Sequence, residues 1–405
     1  MQADLGGEAF IGFFRYQPAA SIAAAPAAPA RYLRYCVTQS KVQVVDLGEA
    51  HAIERAVTLF RSAILRKSET LGSGNLVHAM LLSKLPPSVD SAAVWRVDPD
   101  GILALLPFEA LPDETGRLVL MTHIVRMVSL SKPVEGQSSP GSADSVSAKR
   151  SNAVIMANPK YDSTGPAKGN SAKQSAFGVG SFERRWTAGA VVESLPDTAQ
   201  EAQRIAVALA VIGISSTLLE GVDASRENLE KVQSPKMLHI AGHAVMVDGG
   251  AALADEGTMR SGLRSESILE MVMPGRRSGL VLSRDGSPDL VLAKDIARLS
   301  LSGTTLVVLS ACNTGNGDIL AGEGLSGLRQ ALEQAGARCA ITSIWAVSST
   351  ATVELMSHFY KALGKGMTIG LALCNAKRQL HAAGRSPFEW AGFLMSGTDG
   401  NLTDA

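Results

Sequence analysis

From residue 197 onward the chain alternates two patterns, helical period at 197–211, 225–232 and 324–335, and short apolar runs at 216–219, 237–241, 305–311 and 338–346. Such alternation predicts an α/β protein with a mainly parallel sheet and helices on both faces, because a parallel neighbour needs a crossover and a helix supplies one. Two further helices, 349–363 and 368–382, and a strand at 390–396 follow. A Gly, Ser, Glu and Arg-rich interruption at 248–277, with one short helical patch at 266–272, breaks the series. Insertions of that length are functional loops or disorder.

The earlier part mixes strands and helices in a less regular order. Strands are expected at 10–16, 93–97, 102–105 and 122–130, and a hairpin at 32–36 and 42–47. Ile53, Ala56, Val57, Phe60 and Ile64 recur at helical spacing and predict a helix over 50–66, with another at 75–85. An Ala and Pro-rich loop occupies 19–29. The stretches 133–151 and 161–176, rich in Ser, Gly, Ala, Lys and Pro, bury too little apolar area to offset chain entropy and are expected to be mobile. A strand at 153–157 lies between them. At 405 residues the chain exceeds the size at which one core stops growing, so either a large single α/β unit or two fused halves is expected.

Composition narrows the function classes. Hydrophobic residues at 46% and charged residues at 19% exclude wholesale disorder, and 38 Lys plus Arg against 38 Asp plus Glu leave no net field to draw the protein onto nucleic acid or anionic lipid. The four cysteines, Cys36, Cys312, Cys339 and Cys374, form no C-x-x-C pair, which argues against a zinc site and a disulfide scaffold and for a reducing compartment. The longest apolar run, 205–214, falls short of the roughly 18 residues of a membrane span, and the first residues lack a leader pattern. A cytoplasmic protein without a membrane span is expected. No phosphate-binding G-x-x-x-x-G-K-[ST] or G-x-G-x-x-G follows a strand, and His239 with His243 lacks a third ligand, so neither cofactor nor metal is expected.

Two strand ends carry reactive residues. Leu238-His239-Ile240-Ala241-Gly242-His243-Ala244 runs out into His243, and Leu309-Ser310-Ala311-Cys312-Asn313-Thr314-Gly315 into Cys312. Neighbouring parallel strands present their C-terminal ends at one edge, where open α/β sheets place ligands. An imidazole there would accept or stabilise the thiol proton, making Cys312 a nucleophile and His243 its general base. The backbone N–H groups of Ala244 and Cys312 would then form an oxyanion hole. The competing interpretation makes each an ordinary buried strand residue. Cys339, within a strand, and Cys374, within an amphipathic helix, suit the core, and His239 suits a structural role.

The stretch around Cys312, with Ala321-Gly322-Glu323-Gly324-Leu325 and Ala335-Gly336-Ala337 after it, resembles the nucleophile region of CHAT domains, caspase-like and separase-like cysteine proteases of clan CD. Leu103-Ala104-Leu105-Leu106-Pro107-Phe108-Glu109-Ala110-Leu111-Pro112, Asn158-Pro159, Leu195-Pro196 with Glu201-Ala202, the segment through His243, Ser343-Ile344-Trp345-Ala346-Val347 and Pro387-Phe388-Glu389-Trp390-Ala391-Gly392-Phe393 fit the same family. The resemblance implies His243 as base and Cys312 as nucleophile, and two caspase-like halves, a pseudo-caspase first half, 1–150, and an active second half, 151–405, whose first strand starts near residue 152. Family members usually carry tetratricopeptide helices ahead of this domain. Only nine residues precede the first expected strand here and no 34-residue period occurs, which implies a fragment or a member without its sensor.

Many relatives have an aspartate four residues after the tryptophan, where this chain has Ser349. Ser348 or Ser349 would equally serve as a helix N-cap. Loss of that carboxylate weighs against an Arg or Lys at P1, since a buried guanidinium without a partner is costly. Asp318, Glu323, Trp345 and Ser349 are the substrate-pocket candidates, although Asp318 also suits a turn and Glu323 the first turn of a helix. Arg276-Arg277 is either a self-processing site or a solubilising pair. The sequence thus points to a cysteine endopeptidase acting on a protein substrate under a regulatory or sensor partner, with a catalytically silent interaction module or a hydrolase of small esters and amides as alternatives.

Overall fold

The apolar and amphipathic segments fold in the order β1 (Ala9–Tyr16), β2 (Arg31–Val37), β3 (Val42–Glu49), α1 (Ala50–Leu65), α2 (Leu71–Leu82), α3 (Pro87–Asp90), β4 (Val94–Asp98) and β5 (Ile124–Met127). Next come β6 (Asn152–Pro159), α4 (Pro196–Val211), β7 (Ser215–Gly221), α5 (Arg226–Glu230), β8 (Met237–Met246), β9 (Ser278–Arg284) and β10 (Ser287–Leu292). The last are α6 (Ala293–Ile296), β11 (Leu306–Asn313), α7 (Gly322–Gln334), β12 (Cys339–Ser343), α8 (Ser349–Leu363), α9 (Ile369–Ala382), α10 (Pro387–Trp390) and β13 (Phe393–Gly397). This computed structural model describes residues 7–18, 28–38, 41–129, 152–161, 195–246, 278–313, 322–345, 347 and 349–403, with only the backbone at 245, 246, 311–313, 322–326 and 349. The interruption at 248–277, the loop at 19–27, and most of the stretches 133–151 and 161–176 lie outside the described residues.

Contacts divide the chain into two compact units, Met1–Arg150 with Lys361–Ala405, and Ser151–Tyr360. Residues from Lys361 onward group with the first unit, not with 151–360. The reason is in α9. Its Lys377 ammonium meets the Glu109 carboxylate, both buried, and Arg378 Nε donates to the Leu120 carbonyl at 2.8 Å. Cys374 Sγ lies 3.7 Å from the same carbonyl oxygen, and Ser396 of β13 pairs with Met127 of β5. The first unit's sheet runs β13-β5-β4-β1-β2-β3, parallel up to β1 and antiparallel beyond it.

In the second unit β7, β6, β8, β11 and β12 are successive parallel neighbours, with α4 packed on β6 and β7 and α7 on β12. This is the mixed α/β, mainly parallel architecture expected from the alternation. β8 is shared along its length: residues 237–241 pair with β6, and residues 243–246 pair antiparallel with β9. Leu238, Ile240, Val307, Val308 and Leu309 are buried and make these central strands the unit's core.

Other features differ from the sequence expectation, and the last strand starts at Phe393, not at 390, because Pro387–Trp390 is a helical turn. The apolar run 102–105 is a 3-10 turn, Gly101–Leu105, because the Asp100 carboxylate accepts from the Gly101 N–H and starts a tight turn that buries Leu103 and Leu105. β8 and β11 extend past 241 and 311, so positions 243 and 312 lie within ladders. The β9–β10 hairpin was not anticipated. Its turn residues Asp285 and Gly286 have φ of 49° and 76°, the positive pair that an Asp-Gly type I′ turn requires. Among the described residues no helix is long and apolar enough to cross a membrane.

Candidate active site

His243 and Cys312 are register partners on the neighbouring parallel strands β8 and β11. Strands so paired lie about 4.8 Å apart, and opposed positions share a sheet face. The register therefore sets the two positions side by side near the C-terminal end of the parallel strands. Ala244 follows in the same ladder, opposite Asn313 in β11 and Leu280 in β9. His243 and Ala244 are both buried, at 3% and 2% exposure. The backbone alone is described at Cys312.

Around this rung the structure adds a residue that composition assigns to a mobile stretch. Tyr161, two positions beyond β6, is buried and packs with Val281 and Leu290. Its ring centroid lies 6.3 Å from that of His243 at an interplanar angle of 38°, and its hydroxyl donates to the Val281 carbonyl at 3.0 Å. Val281 is itself the register partner of His243 on β9. An aromatic residue two positions beyond the proline that ends a strand was the available sequence signal, obscured by the polar residues that follow it.

Four residues before His243, and about 13 Å along the same strand face, His239 has a structural role as expected. Its Nε2 lies 3.0 Å from Glu201 Oε1 of α4 and its Nδ1 2.9 Å from the Tyr360 hydroxyl of α8. All three are buried. The carboxylate assigns the Nε2–H tautomer, leaving Nδ1 to accept from the phenol. Burial, reinforced by the Glu201 charge, holds the Tyr360 hydroxyl well above its ordinary value, so it stays a donor. Glu201 occupies the buried stripe of α4 with Thr198, Ala202, Ile205 and Leu209, and a carboxylate in such a stripe signals a buried partner. The network ties β8 to both α4 and α8.

The pocket candidates divide. Trp345 is buried two residues past β12, whose residues 340–342 run parallel to β11 at 307–309, so it stands by the strand that carries Cys312. Ser349 is the first residue of α8, where only the backbone is described, and Ser348 lies outside the described residues. Glu323 lies in the first turn of α7, where only the backbone is described. Asp318 and the Arg276-Arg277 pair lie outside the described residues. The remaining cysteines are core residues: Cys36, Cys339 and Cys374 are buried and unbridged. Burial pushes the Cys36 thiol up, and the Cys374 thiol up to about 11.

Among the described residues no group of three or more His, Cys, Asp or Glu is placed to hold a metal. Among curated proteins the chain is 34% identical over 115 residues to human (Homo sapiens) tetratricopeptide repeat protein 28, an alignment that spans 28% of this chain and 5% of that protein's length. Among solved structures it is similar to the Arg-specific cysteine proteinase gingipain R at 10% identity, over 87% of this chain and 68% of that one, with a TM-score of 0.44. A complex of the pro- and mature domains of Porphyromonas gingivalis RgpB aligns at 10% identity over 87% of this chain and 77% of that one, with a TM-score of 0.43. The CHAT domain family model matches residues 72–398, most of the chain and all of the rung that pairs His243 with Cys312. The chain belongs to the CHAT domain family.

Proposed function

We propose that this protein is a cysteine endopeptidase in which His243 is the general base and Cys312 the nucleophile. The observation that carries the proposal is the direct register pairing of the two positions on parallel strands. In this reading the Cys312 S–H proton passes to the His243 imidazole, and the thiolate attacks the scissile carbonyl. The N–H groups of Ala244 and Cys312 stabilise the oxyanion. Collapse breaks the C–N bond, and the imidazolium returns its proton to the departing amine. Water, deprotonated by His243, then hydrolyses the thioester and regenerates the thiol. Every proton is held by these two residues or by water, so the cycle requires no metal or organic cofactor.

The substrate in this reading is a protein cut at exposed loop sites, with access governed by a regulatory or sensor partner. Trp345 supplies an aromatic pocket wall, and Asp318, Glu323 and Ser349 are the polar positions around it. A buried aromatic wall with serine at position 349 favours an uncharged P1 side chain.

Competitive alkylation with a substoichiometric amount of iodoacetamide, read by mass spectrometry, tests the dyad without a substrate. Cys312 is expected to react first and to keep reacting below the ordinary thiol range of about 8.5, because an imidazolium stabilises its thiolate. Cys36, Cys339 and Cys374 are expected to lag, each being buried. Labelling of Cys312 no faster than these core thiols would contradict the proposal and favour a silent interaction module.

A further inference from the structure

We infer that Tyr161 is a positioning residue for His243, its ring serving as a wall that fixes the imidazole on the rung shared with Cys312. The inference rests on the dyad reading above. β6 and β9 occupy the same side of β8 in succession, β6 along residues 237–241 and β9 along 243–246. Tyr161 fills the joint between them. Its ring faces the His243 ring at 6.3 Å between centroids, and its hydroxyl is anchored to the carbonyl of Val281, the residue opposite His243. One side chain thus sits beside the imidazole and fastens to the backbone of the neighbouring strand.

The segment that delivers Tyr161 is itself pinned. The Asn158 N–H donates to Thr198 Oγ1 at 2.9 Å, and the Lys160 N–H donates to the Gly221 carbonyl at 3.0 Å. Ser283 Oγ donates to the Lys160 carbonyl at 3.0 Å. At Asn158 the chain takes a left-handed φ of 45°, where the ladder with β7 shifts register between Ala157 and Pro159. Burial raises the Tyr161 hydroxyl above its ordinary value, which keeps it a proton donor to Val281. A phenylalanine would fill the same space. The hydroxyl tether is what prevents the ring from sliding along β9.

Two variants separate positioning from core filling. Tyr161→Leu keeps apolar volume and removes the planar wall, while Tyr161→Phe keeps the wall and removes the tether. Iodoacetamide alkylation of Cys312 is followed from pH 5 to 9 in the full chain, beside wild type and His243→Ala, with thermal midpoints as the folding control. At pH 6 the rate is expected to fall about tenfold in Tyr161→Leu and about two- to threefold in Tyr161→Phe, the scale of a small misplacement of a reacting group. On a cleavable peptide the loss is expected in kcat with KM unchanged. A His243-dependent wild-type profile that both variants reproduce would overturn the inference and leave the dyad intact. A wild-type profile identical to that of His243→Ala would end both. If Tyr161→Leu does not fold, wild-type values in Tyr161→Phe overturn the inference alone.

Discussion

Replacing His243 with alanine is expected to lower kcat for peptide cleavage by about 10³-fold, and to make the residual rate climb with pH toward the free-thiol range near 8.5. The physical reason is the state of the nucleophile. Without the imidazole only a few per cent of an ordinary thiol is ionised at neutral pH, and nothing delivers a proton to the departing amine. Both losses fall on steps made in the transition state, so KM is expected to stay near its wild-type value. Burial of His243 at 3% exposure gives the variant a cavity as well as a chemical defect. His243→Gln, closer in size, separates the two, and a loss of the same order in both variants assigns it to proton transfer. A wild-type kcat in either variant would remove His243 from the mechanism.

The largest loss of stability is expected at Lys377. Its ammonium meets the carboxylate of Glu109, and the two side chains are 1% and 5% exposed. Lys377→Met removes the cation and leaves an uncompensated buried carboxylate, a change worth about 3–5 kcal/mol. Urea unfolding of the full chain reads this as a lower midpoint. The double variant Glu109→Gln, Lys377→Met is expected to recover much of the loss, because no buried charge then remains. If the single variant unfolds at the wild-type urea concentration, the pair does not hold α9 to the rest of its unit.

That pair also shows what one sequence could and could not convey. Lys377 occupies the buried stripe of α9 among Ile369, Ala372, Leu373, Ala376 and Leu380, so a buried partner was implied. Its identity was not legible, because Glu109 lies 268 positions away and only tertiary packing selects it. The grouping of residues after 360 with the first unit rests on contacts of the same long-range kind. The central strands were legible as apolar runs, yet their ends were read short. Gly242, His243 and Cys312 interrupt the apolar pattern while remaining in the ladders. The β9–β10 hairpin carried a usable signal, Asp285-Gly286 between Val281-Leu282 and Leu290-Val291-Leu292, that went unread beside the polar interruption preceding it. At 102–105 the apolar composition suited a strand, and the Asp100 cap on Gly101 decided for a 3-10 turn.

His243 and Cys312 were the most legible part of the candidate site, because each ends an apolar run and parallel strands bring such ends together. Their register partnership is the structural counterpart of that argument. Tyr161 and the Glu201–His239–Tyr360 network depend on contacts between distant segments, which periodicity does not encode.

The most direct test of the central claim is incubation of the wild-type chain and its Cys312→Ala variant with a proteome-derived peptide library, reading new termini by mass spectrometry. The account predicts new termini with the wild type alone, sharing an uncharged residue at P1. Identical termini from both proteins, or none from a wild type whose Cys312 also alkylates no faster than its buried cysteines, would contradict it.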